Sequence, residues 1–202
     1  YIERNSVFFP SKQVHALPDS LGLEYKEAYF DTKDQKRLHG WFVPKRGAEN
    51  TILYAHGNAG NIADRLDKIS LFNDWGFSVF IFDYRGYGKS TGRPSEVGIY
   101  LDAEAALLYL TQALKLKEKD IVFYGESLGG AVVIELAAGK SPKAIITEGT
   151  FSSVRDMGKK MYPLLPSFLL STRFDSIAKI GDILAPKLII HSVDDEIIPF
   201  SF

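Results

Sequence analysis

The sequence predicts an α/β fold in which a mostly parallel sheet carries helices on both faces. Three observations predict it: short apolar runs recur along the chain, helix-like stretches separate them, and a Gly-x-Ser-x-Gly pentapeptide joins one run to one stretch. Alternation of strand and helix is typical of βαβ units and a parallel sheet. We expect a single domain over residues 1–202, because this length suits one hydrophobic core.

The N-terminal part of the chain predicts an antiparallel edge to this sheet. Between Tyr25 and Val43, two short extended runs flank the turn-rich residues 31–35. Extended runs joined by a polar turn are typical of a β-hairpin.

Five continuous apolar runs predict parallel strands that are buried on both faces, since such strands lack the alternation of half-exposed ones. The runs are Thr51–Ala55, Phe77–Phe82, Ile121–Tyr124, Ala144–Thr147 and Leu188–Ile190. Between them, helices are predicted over Ile62–Trp75, Ser95–Leu114 and Gly129–Gly139.

Residues 151–176 form the exception to this alternation. They include several large apolar side chains and are too apolar for a plain solvated loop. We expect a short cap over the carboxyl ends of the strands, where open α/β sheets place their sites. The apolar residues of this cap suit either an acyl group of a substrate or packing of the cap onto the core.

The composition of the chain excludes several kinds of partner and of catalytic group. Lys and Arg total 24 against 25 Asp and Glu, a net charge of -1, so no bulk charge favours nucleic acid or an anionic membrane. The chain contains no cysteine, which excludes disulfides, a thiol nucleophile and thiolate metal sites. Any nucleophile must therefore be an oxygen or a lysine.

The termini bear on localisation. No apolar run approaches the roughly 18 residues of a membrane-spanning helix, and the first residues do not resemble a signal peptide. Because the chain begins with Tyr1 and ends at Phe202 directly after a loop, we expect it to be a piece of a longer protein. Localisation stays open, and membrane association would need a segment outside this chain.

The candidate nucleophile is Ser127, in the pentapeptide Gly125–Gly129. Chance alone would supply such a pattern in roughly one chain in fifteen of this length, given glycine and serine usage of about 7% each. Here, however, it follows a predicted strand and leads into a predicted helix, which is the context of a nucleophile elbow. The alternative is a glycine-rich turn with an N-capping serine.

Attack by a serine on a carbonyl creates an oxyanion, which needs backbone donors held in place beforehand. One predicted donor is the amide of Leu128, directly after the nucleophile, and the second is the amide of Asn58, in the loop His56–Asn61 that follows an earlier strand. The sequence contains no phosphate-binding loop of the form Gly-x-x-x-x-Gly-Lys-Ser/Thr. Before Gly88-Lys89-Ser90, Asp83 occupies the position of the first glycine.

A cluster of acidic residues follows the last predicted strand. Asp194, Asp195 and Glu196 lie in the segment His191–Pro199. In isolation they suit a solvated turn or a hard-cation site. Their place after Ser127, on the strand that follows the cap, favours instead a carboxylate that orients a catalytic histidine.

Four segments together resemble the serine-aminopeptidase-like branch of the α/β-hydrolases, and the resemblance covers nearly the whole chain. They are His56–Asn61, Asp83–Gly88, Gly125–Gly130 and His191–Pro199. The resemblance implies an α/β-hydrolase fold and, through the family's His-Gly-x-x-Asp-x-x-Val-Pro loop, an acid at Asp195 rather than Asp194. Ser192 and Ile198 depart from that pattern, where glycine and valine are usual. We expect Asp83–Gly88 to be structural, with Arg85 bracing loops.

The catalytic histidine is not identified within the chain. Hydrolases of this fold place their triad in the order Ser, Asp or Glu, then His, yet residues 196–202 contain no histidine. We expect His15 and His39 to be structural and His56 to anchor its own loop, and the resembling family does not use the position of His191 as its base. The resemblance implies a histidine beyond Phe202, in a C-terminal part that this chain lacks.

Two functions follow from these observations. The first is a serine hydrolase that cleaves an ester, thioester or amide by way of an acyl-enzyme, with a small-molecule or acyl substrate and no metal or organic cofactor. The second is a non-catalytic protein that keeps the fold as a binding module. The fold alone does not identify the scissile bond, so the aminopeptidase label is not transferred.

Overall fold

The computed structural model describes residues 7–161 and 172–202. Its strands are Phe9–Pro10 (β1), Lys26–Asp31 (β2), Arg37–Val43 (β3), Thr51–Ala55 (β4), Ala59–Gly60 (β5), Ser78–Phe82 (β6), Ile121–Glu126 (β7), Ala144–Glu148 (β8) and Lys187–Ile190 (β9). Within the described residues, a seven-stranded sheet has the order β2-β3-β6-β4-β7-β8-β9, and β1 pairs with β5. All the strands predicted from the sequence are present.

The helices are Leu66–Asp74 (α1), Glu96–Leu108 (α2), Leu128–Ala137 (α3), Val154–Met161 (α4) and Ile177–Ile180 (α5). A 3₁₀ turn, Ile62–Arg65, precedes α1, and a π-helical turn, Tyr109–Ala113, ends α2. The predicted helices are therefore confirmed, although two of them change their winding at one end. In the described part of the chain, no helix is both long and apolar enough to cross a membrane.

The strand directions confirm the predicted mixed sheet. β2 and β3 are antiparallel to each other, and β3 is antiparallel to β6. The remaining neighbours, from β6 through β4, β7 and β8 to β9, are parallel. Because parallel strands share their carboxyl ends, the loops after β4, β7, β8 and β9 lie at one edge of the sheet.

Helices cover both faces of the sheet, as predicted. Side chains alternate along each strand, so in β4 Leu53 joins the cluster that packs against α2 and α3, while Tyr54 joins the cluster that packs against α1. Phe123 and Tyr124 of β7 divide between the same two clusters. The central strands are thus buried on both sides, which is why their sequences are continuously apolar.

Within residues 7–161 and 172–202, the prediction that β9 is buried on both faces is wrong. Each of its four residues is exposed, with Leu188 at 52% and Ile189 at 62%. The strand lies at the edge of the sheet, beyond β8, and none of the described residues covers its outer side. An apolar run specifies a strand, but burial depends on what packs against it.

The predicted cap over residues 151–176 falls partly outside the described residues. Its first part is α4, and the segment 172–176 returns beside it through a hydrogen bond from the Val154 amide to the Arg173 carbonyl at 2.7 Å. Residues 162–171, which carry most of the apolar side chains of the predicted cap, lie outside the described part. The cap stays a prediction.

Candidate active site

Ser127 occupies the turn between β7 and α3. Its backbone has φ 52° and ψ −115°, a conformation that a residue with a side chain adopts only when its surroundings impose it. The Ser127 amide donates to the Glu148 carbonyl of β8 at 2.8 Å, and its carbonyl accepts from the Gly130 amide at 3.0 Å. The turn is therefore held from both sides, with a half-buried serine at the start of a helix.

Close backbone contact explains two glycines of the pentapeptide. A Cβ at Gly129 would lie 1.9 Å from the Ala55 carbonyl oxygen of β4, and one at Gly125 would lie 2.2 Å from the carbonyl oxygen of Gly129. Both obstacles are backbone atoms, which cannot rotate away as a side chain can. This arrangement confirms the expectation that the elbow has no room for side chains at these positions, and it brings the start of α3 against the end of β4.

The loop after β4, which contains Asn58, lies directly beside the elbow. Ala55 pairs with Gly125 across the two strands, and a Cβ at Gly57 would lie 3.6 Å from the Glu126 carbonyl oxygen. The Asn58 side chain has a structural role: its amide donates to the Val7 carbonyl at 2.5 Å. The predicted oxyanion donor of this residue is its backbone amide.

The second predicted donor, the amide of Leu128, is the first in α3. The N–H groups of a first helical turn have no intrahelical acceptor, and the helix dipole adds partial positive charge there. The structure thus brings the Asn58 loop and the Leu128 amide close to Ser127, while their role as oxyanion donors stays a prediction.

Asp195 lies in the loop after β9. Its Oδ1 atom accepts hydrogen bonds from the amides of Ile197 at 2.9 Å and Ile198 at 2.8 Å. These bonds, that of Ile198 above all, hold the pKa of the Asp195 carboxyl below its usual value. Its Oδ2 atom faces the turn after β8, 3.9 Å from where a Cβ of Gly149 would lie.

Asp194 and Asp195 differ in their surroundings. The Asp194 side chain is exposed, and its amide donates to the Ser192 hydroxyl at 3.3 Å. Asp195 is partly buried and is oriented by two backbone amides. Within the described residues, no group of three or more His, Cys, Asp or Glu side chains has the geometry of a metal site, and the acidic cluster is no exception.

Three of the four histidines, His39, His56 and His191, are held by neighbouring groups. His15 is on the surface. His39 and His56 are fully buried on either side of Asp83, with ring nitrogens 3.6 and 3.8 Å from its carboxylate oxygens. Burial lowers the pKa of His56, and its Nδ1 atom lies 2.7 Å from the Gly57 carbonyl, so this histidine anchors its own loop as expected.

His191 belongs to the loop of Asp195. Its Nε2 atom lies 2.7 Å from the Ile198 carbonyl and 3.6 Å from Asp195 Oδ2. The ring stands edge-on to Phe200, with 6.1 Å between their centroids. His191 therefore closes the loop on itself, and its Nε2 atom is engaged with a backbone oxygen.

Arg85 braces loops, as the sequence indicated. Its guanidinium donates to both carboxylate oxygens of Asp34, in the hairpin turn, at 2.8 and 2.9 Å. Its Nε atom donates to the buried Asp102 of α2 at 2.9 Å. All these partners are structural, so Arg85 belongs to the scaffold of the site.

A polar cluster beside the elbow was not singled out from the sequence. It comprises Arg65, Lys68, Glu126 and Glu148, with the hydroxyls of Tyr54 and Tyr124. Glu126 directly precedes the nucleophile. The place of Glu126 inside the pentapeptide was the sequence signal that could have pointed to this cluster. Its partners could not be found in this way, because they come from distant parts of the chain.

The chain matches the family model described as alpha/beta hydrolase fold over residues 50–188. It is 36% identical over 200 residues to the uncharacterized protein Rv2307c of Mycobacterium tuberculosis, covering 98% of this chain and 71% of that protein. It is 37% identical over 203 residues to protein bem46 of Schizosaccharomyces pombe, covering 94% and 67%.

Among solved structures, the esterase Pf2001 of Pyrococcus furiosus superposes with a TM-score of 0.78 at 25% identity, covering 96% of this chain and 80% of that one. These matches identify the α/β-hydrolase superfamily. The resemblance to its serine-aminopeptidase-like branch stays a prediction. With the elbow, the sheet order and the family match in agreement, this chain belongs to the α/β-hydrolase family.

Proposed function

We propose that this protein is a serine hydrolase that cleaves an ester, a thioester or an amide through an acyl-enzyme. The observation that carries the proposal is the backbone of Ser127, which has positive φ at the start of α3. A strained residue persists where its surroundings over-determine it, and such residues cluster at active sites. Membership of a hydrolase family and the likeness to an esterase support this assignment.

The residues around Ser127 have complementary roles in this mechanism. The Ser127 Oγ atom attacks the carbonyl carbon while its proton passes to a histidine, and the oxyanion that forms accepts from the amides of Asn58 and Leu128. Collapse of this intermediate expels the leaving group, which takes the proton from the histidine. Water then hydrolyses the acyl-enzyme, and Asp195 orients the imidazole throughout.

We assign the base to a histidine outside residues 1–202. His39 and His56 are buried against Asp83, and His191 Nε2 is bound to the Ile198 carbonyl. The backbone amides of Ile197 and Ile198 bind Asp195 Oδ1, so we assign Oδ2, which lies 3.6 Å from His191 Nε2, as the atom that would receive the imidazole of the base.

Labelling by a fluorophosphonate probe tests the nucleophile in the full-length protein. We expect the probe to label the wild type and the Ser141→Ala variant, since Ser141 is exposed, and not to label Ser127→Ala. Continued labelling of Ser127→Ala would contradict the assignment. A folded wild-type protein that is neither labelled nor hydrolytic would favour the non-catalytic binding module.

The scissile bond is tested with p-nitrophenyl esters of rising chain length, measured beside an aminoacyl amide. A kcat/KM that rises with chain length would indicate an acyl pocket under the cap. Preference for the amide would instead make the protein a peptidase or amidase, and either result leaves the role of Ser127 unchanged.

A further inference from the structure

The loop that carries Asn58 is attached on one side to the N-terminal segment, because Ala59–Gly60 pairs with Phe9–Pro10 and the Asn58 side-chain amide donates to the Val7 carbonyl. It contains Gly57 and Gly60, and Gly60 has φ 80°, so residue sterics restrict this segment less than most. The Asn61 and Asp64 side chains cap the following 3₁₀ turn and thereby order the far end of the loop. These contacts attach the loop to the N-terminal segment, so groups elsewhere must fix its distance from the nucleophile elbow.

Arg65 provides one such attachment. Its Nη2 atom donates to the Ala59 carbonyl at 3.0 Å. The same guanidinium points toward the elbow, with its Nε atom 3.8 Å from Glu126 Oε1. The two side chains are 17% and 26% exposed, so solvent screens this pair less than it would a surface pair.

Glu126 is itself firmly held. Its Oε2 atom accepts from the Tyr54 hydroxyl at 2.5 Å and lies 3.5 Å from Lys68 Nζ. Glu126 is also the residue directly before Ser127, and its Oε1 atom would lie 3.3 Å from a Cβ at Gly57. The Glu126 carboxylate therefore lies beside the loop of Asn58, and the Glu126 backbone leads directly into the turn of Ser127 and Leu128.

We propose that Glu126 is a positioning residue, which acts with Arg65 to hold the Asn58 loop at a fixed distance from the nucleophile elbow. The two oxyanion donors lie on different segments, so their separation depends on a link between the segments. Misplacement of a reacting group by about 1 Å can cost about a hundredfold in rate. This inference rests on the proposed hydrolase function.

The charge of Glu126 matters as well as its shape. A carboxylate beside the nucleophile opposes the negative charge of the oxyanion, and Arg65 and Lys68 compensate it. Glu126→Gln keeps the size of the side chain and removes the attraction to Arg65. We expect it to lower kcat roughly tenfold and to leave KM within about twofold, because oxyanion contacts strengthen in the transition state.

The experiment compares four variants of the full-length protein: Glu126→Gln, Arg65→Gln, the double variant, and Glu104→Gln as a control for the loss of an exposed carboxylate. The double variant should be no slower than either single one, because both remove the same link. Affinity for a boronic acid that mimics the tetrahedral intermediate should fall with kcat, and Arg65→Lys should recover part of the loss.

Hydrogen exchange of residues 57–61 gives a readout that does not depend on activity. We expect faster exchange in Glu126→Gln and in Arg65→Gln than in the wild type and in Glu104→Gln. Unchanged exchange, unchanged kcat in an active enzyme, or independent losses that add in the double variant would each overturn the role of Glu126. If the wild type hydrolyses nothing, the proposed function fails, while exchange still decides whether the link exists.

Discussion

The two loops that carry the candidate catalytic side chains are supported in opposite ways. Ser127 lies at the end of β7, whose neighbours β4 and β8 flank it and whose Phe123 is fully buried. Asp195 follows β9, an edge strand with every residue exposed, and owes its orientation to two amides of its own loop. The core determines the nucleophile's position, whereas local hydrogen bonds determine that of the acid.

Because of this difference, we expect substitutions at the elbow and at the β9 loop to affect stability and activity to different extents. A change at the elbow disturbs atoms packed on several sides, so it should affect folding. Among the described residues, a change at Asp195 in the β9 loop meets few packed neighbours, so it should affect chemistry more than folding. Four predictions, from the largest expected effect to the smallest, test this comparison.

The largest effect is expected on activity at Asp195. In the full-length protein, Asp195→Asn should lower kcat roughly 10⁴-fold, because an amide neither stabilises the imidazolium nor selects the productive tautomer. The asparagine oxygen can still accept from Ile197 and Ile198, so the free energy of unfolding should change by less than about 1 kcal/mol.

Ester hydrolysis and urea unfolding check both parts of this prediction, with Asp194→Asn as the matched control because that side chain is exposed. The control should keep activity within about twofold, in line with a surface substitution. Equal losses in both variants would remove Asp195 from the triad, and a large loss of stability would contradict the idea of a purely local loop.

The second effect is expected on stability at Gly129. Gly129→Ala should lower the free energy of unfolding by about 3 kcal/mol or more, because the new Cβ would lie 1.9 Å from the Ala55 carbonyl oxygen. Gly181→Ala, directly after α5, is the matched control, since a Cβ at this position meets no atom within 4 Å. Similar urea midpoints for the two variants would break the comparison.

A third, smaller effect tests the strain at Ser127. Because glycine tolerates positive φ, Ser127→Gly should raise the free energy of unfolding by about 1 kcal/mol while labelling by fluorophosphonate disappears. Ser127→Ala provides the comparison, since alanine removes the hydroxyl and keeps the strain. If glycine proves no more stable than alanine at this position, the turn stores no appreciable strain.

The smallest effect is a dependence on pH. Hydrogen bonds from Arg85, and then from Thr32, hold the pKa of the Asp34 carboxyl well below its ordinary value of 3.8. A carboxyl with a lowered folded pKa stabilises the protein above its unfolded pKa, and this contribution is lost as the pH falls further. The side chain is 39% exposed, so the contribution should stay below about 1 kcal/mol.

Urea midpoints at pH 7, 4 and 3 measure this contribution. Asp34→Asn should be less stable than the wild type at pH 7 and should approach it at pH 3. Asp194→Asn, whose side chain is exposed, is the control for the loss of a carboxylate. A constant difference between Asp34→Asn and the wild type would show that the ion pair with Arg85 is not the cause.

Much of the local structure was predictable because it depends on short-range patterns. Thr51–Ala55 was predicted as a strand at its observed bounds, and the glycines of the pentapeptide indicated a turn with close backbone contacts. The antiparallel hairpin followed from two extended runs around a polar turn. Arg85 was expected to brace loops, and its hydrogen bonds to Asp34 and Asp102 confirm this.

Other features escaped sequence reasoning because they depend on contacts between distant segments. The pairing of β1 with β5 joins residues about fifty positions apart, through strands of only two residues. The exposure of β9 depends on the surroundings of an edge strand, and periodicity does not describe those surroundings. The π-helical end of α2 likewise has no clear signature in an alanine-rich stretch.

For this protein, then, the sequence by itself determined the order of strands and helices, the family and the candidate nucleophile, because turn glycines and apolar runs act over a few residues. Only the tertiary structure decided which charged side chains lie close to one another. Arg65 and Glu126 are 61 positions apart in the chain, and only the parallel register of β4 with β7 brings the Asn58 loop and the elbow together. Strands that are apolar on both faces lack the alternation that would specify a register, so their register depends on the packing of the whole sheet.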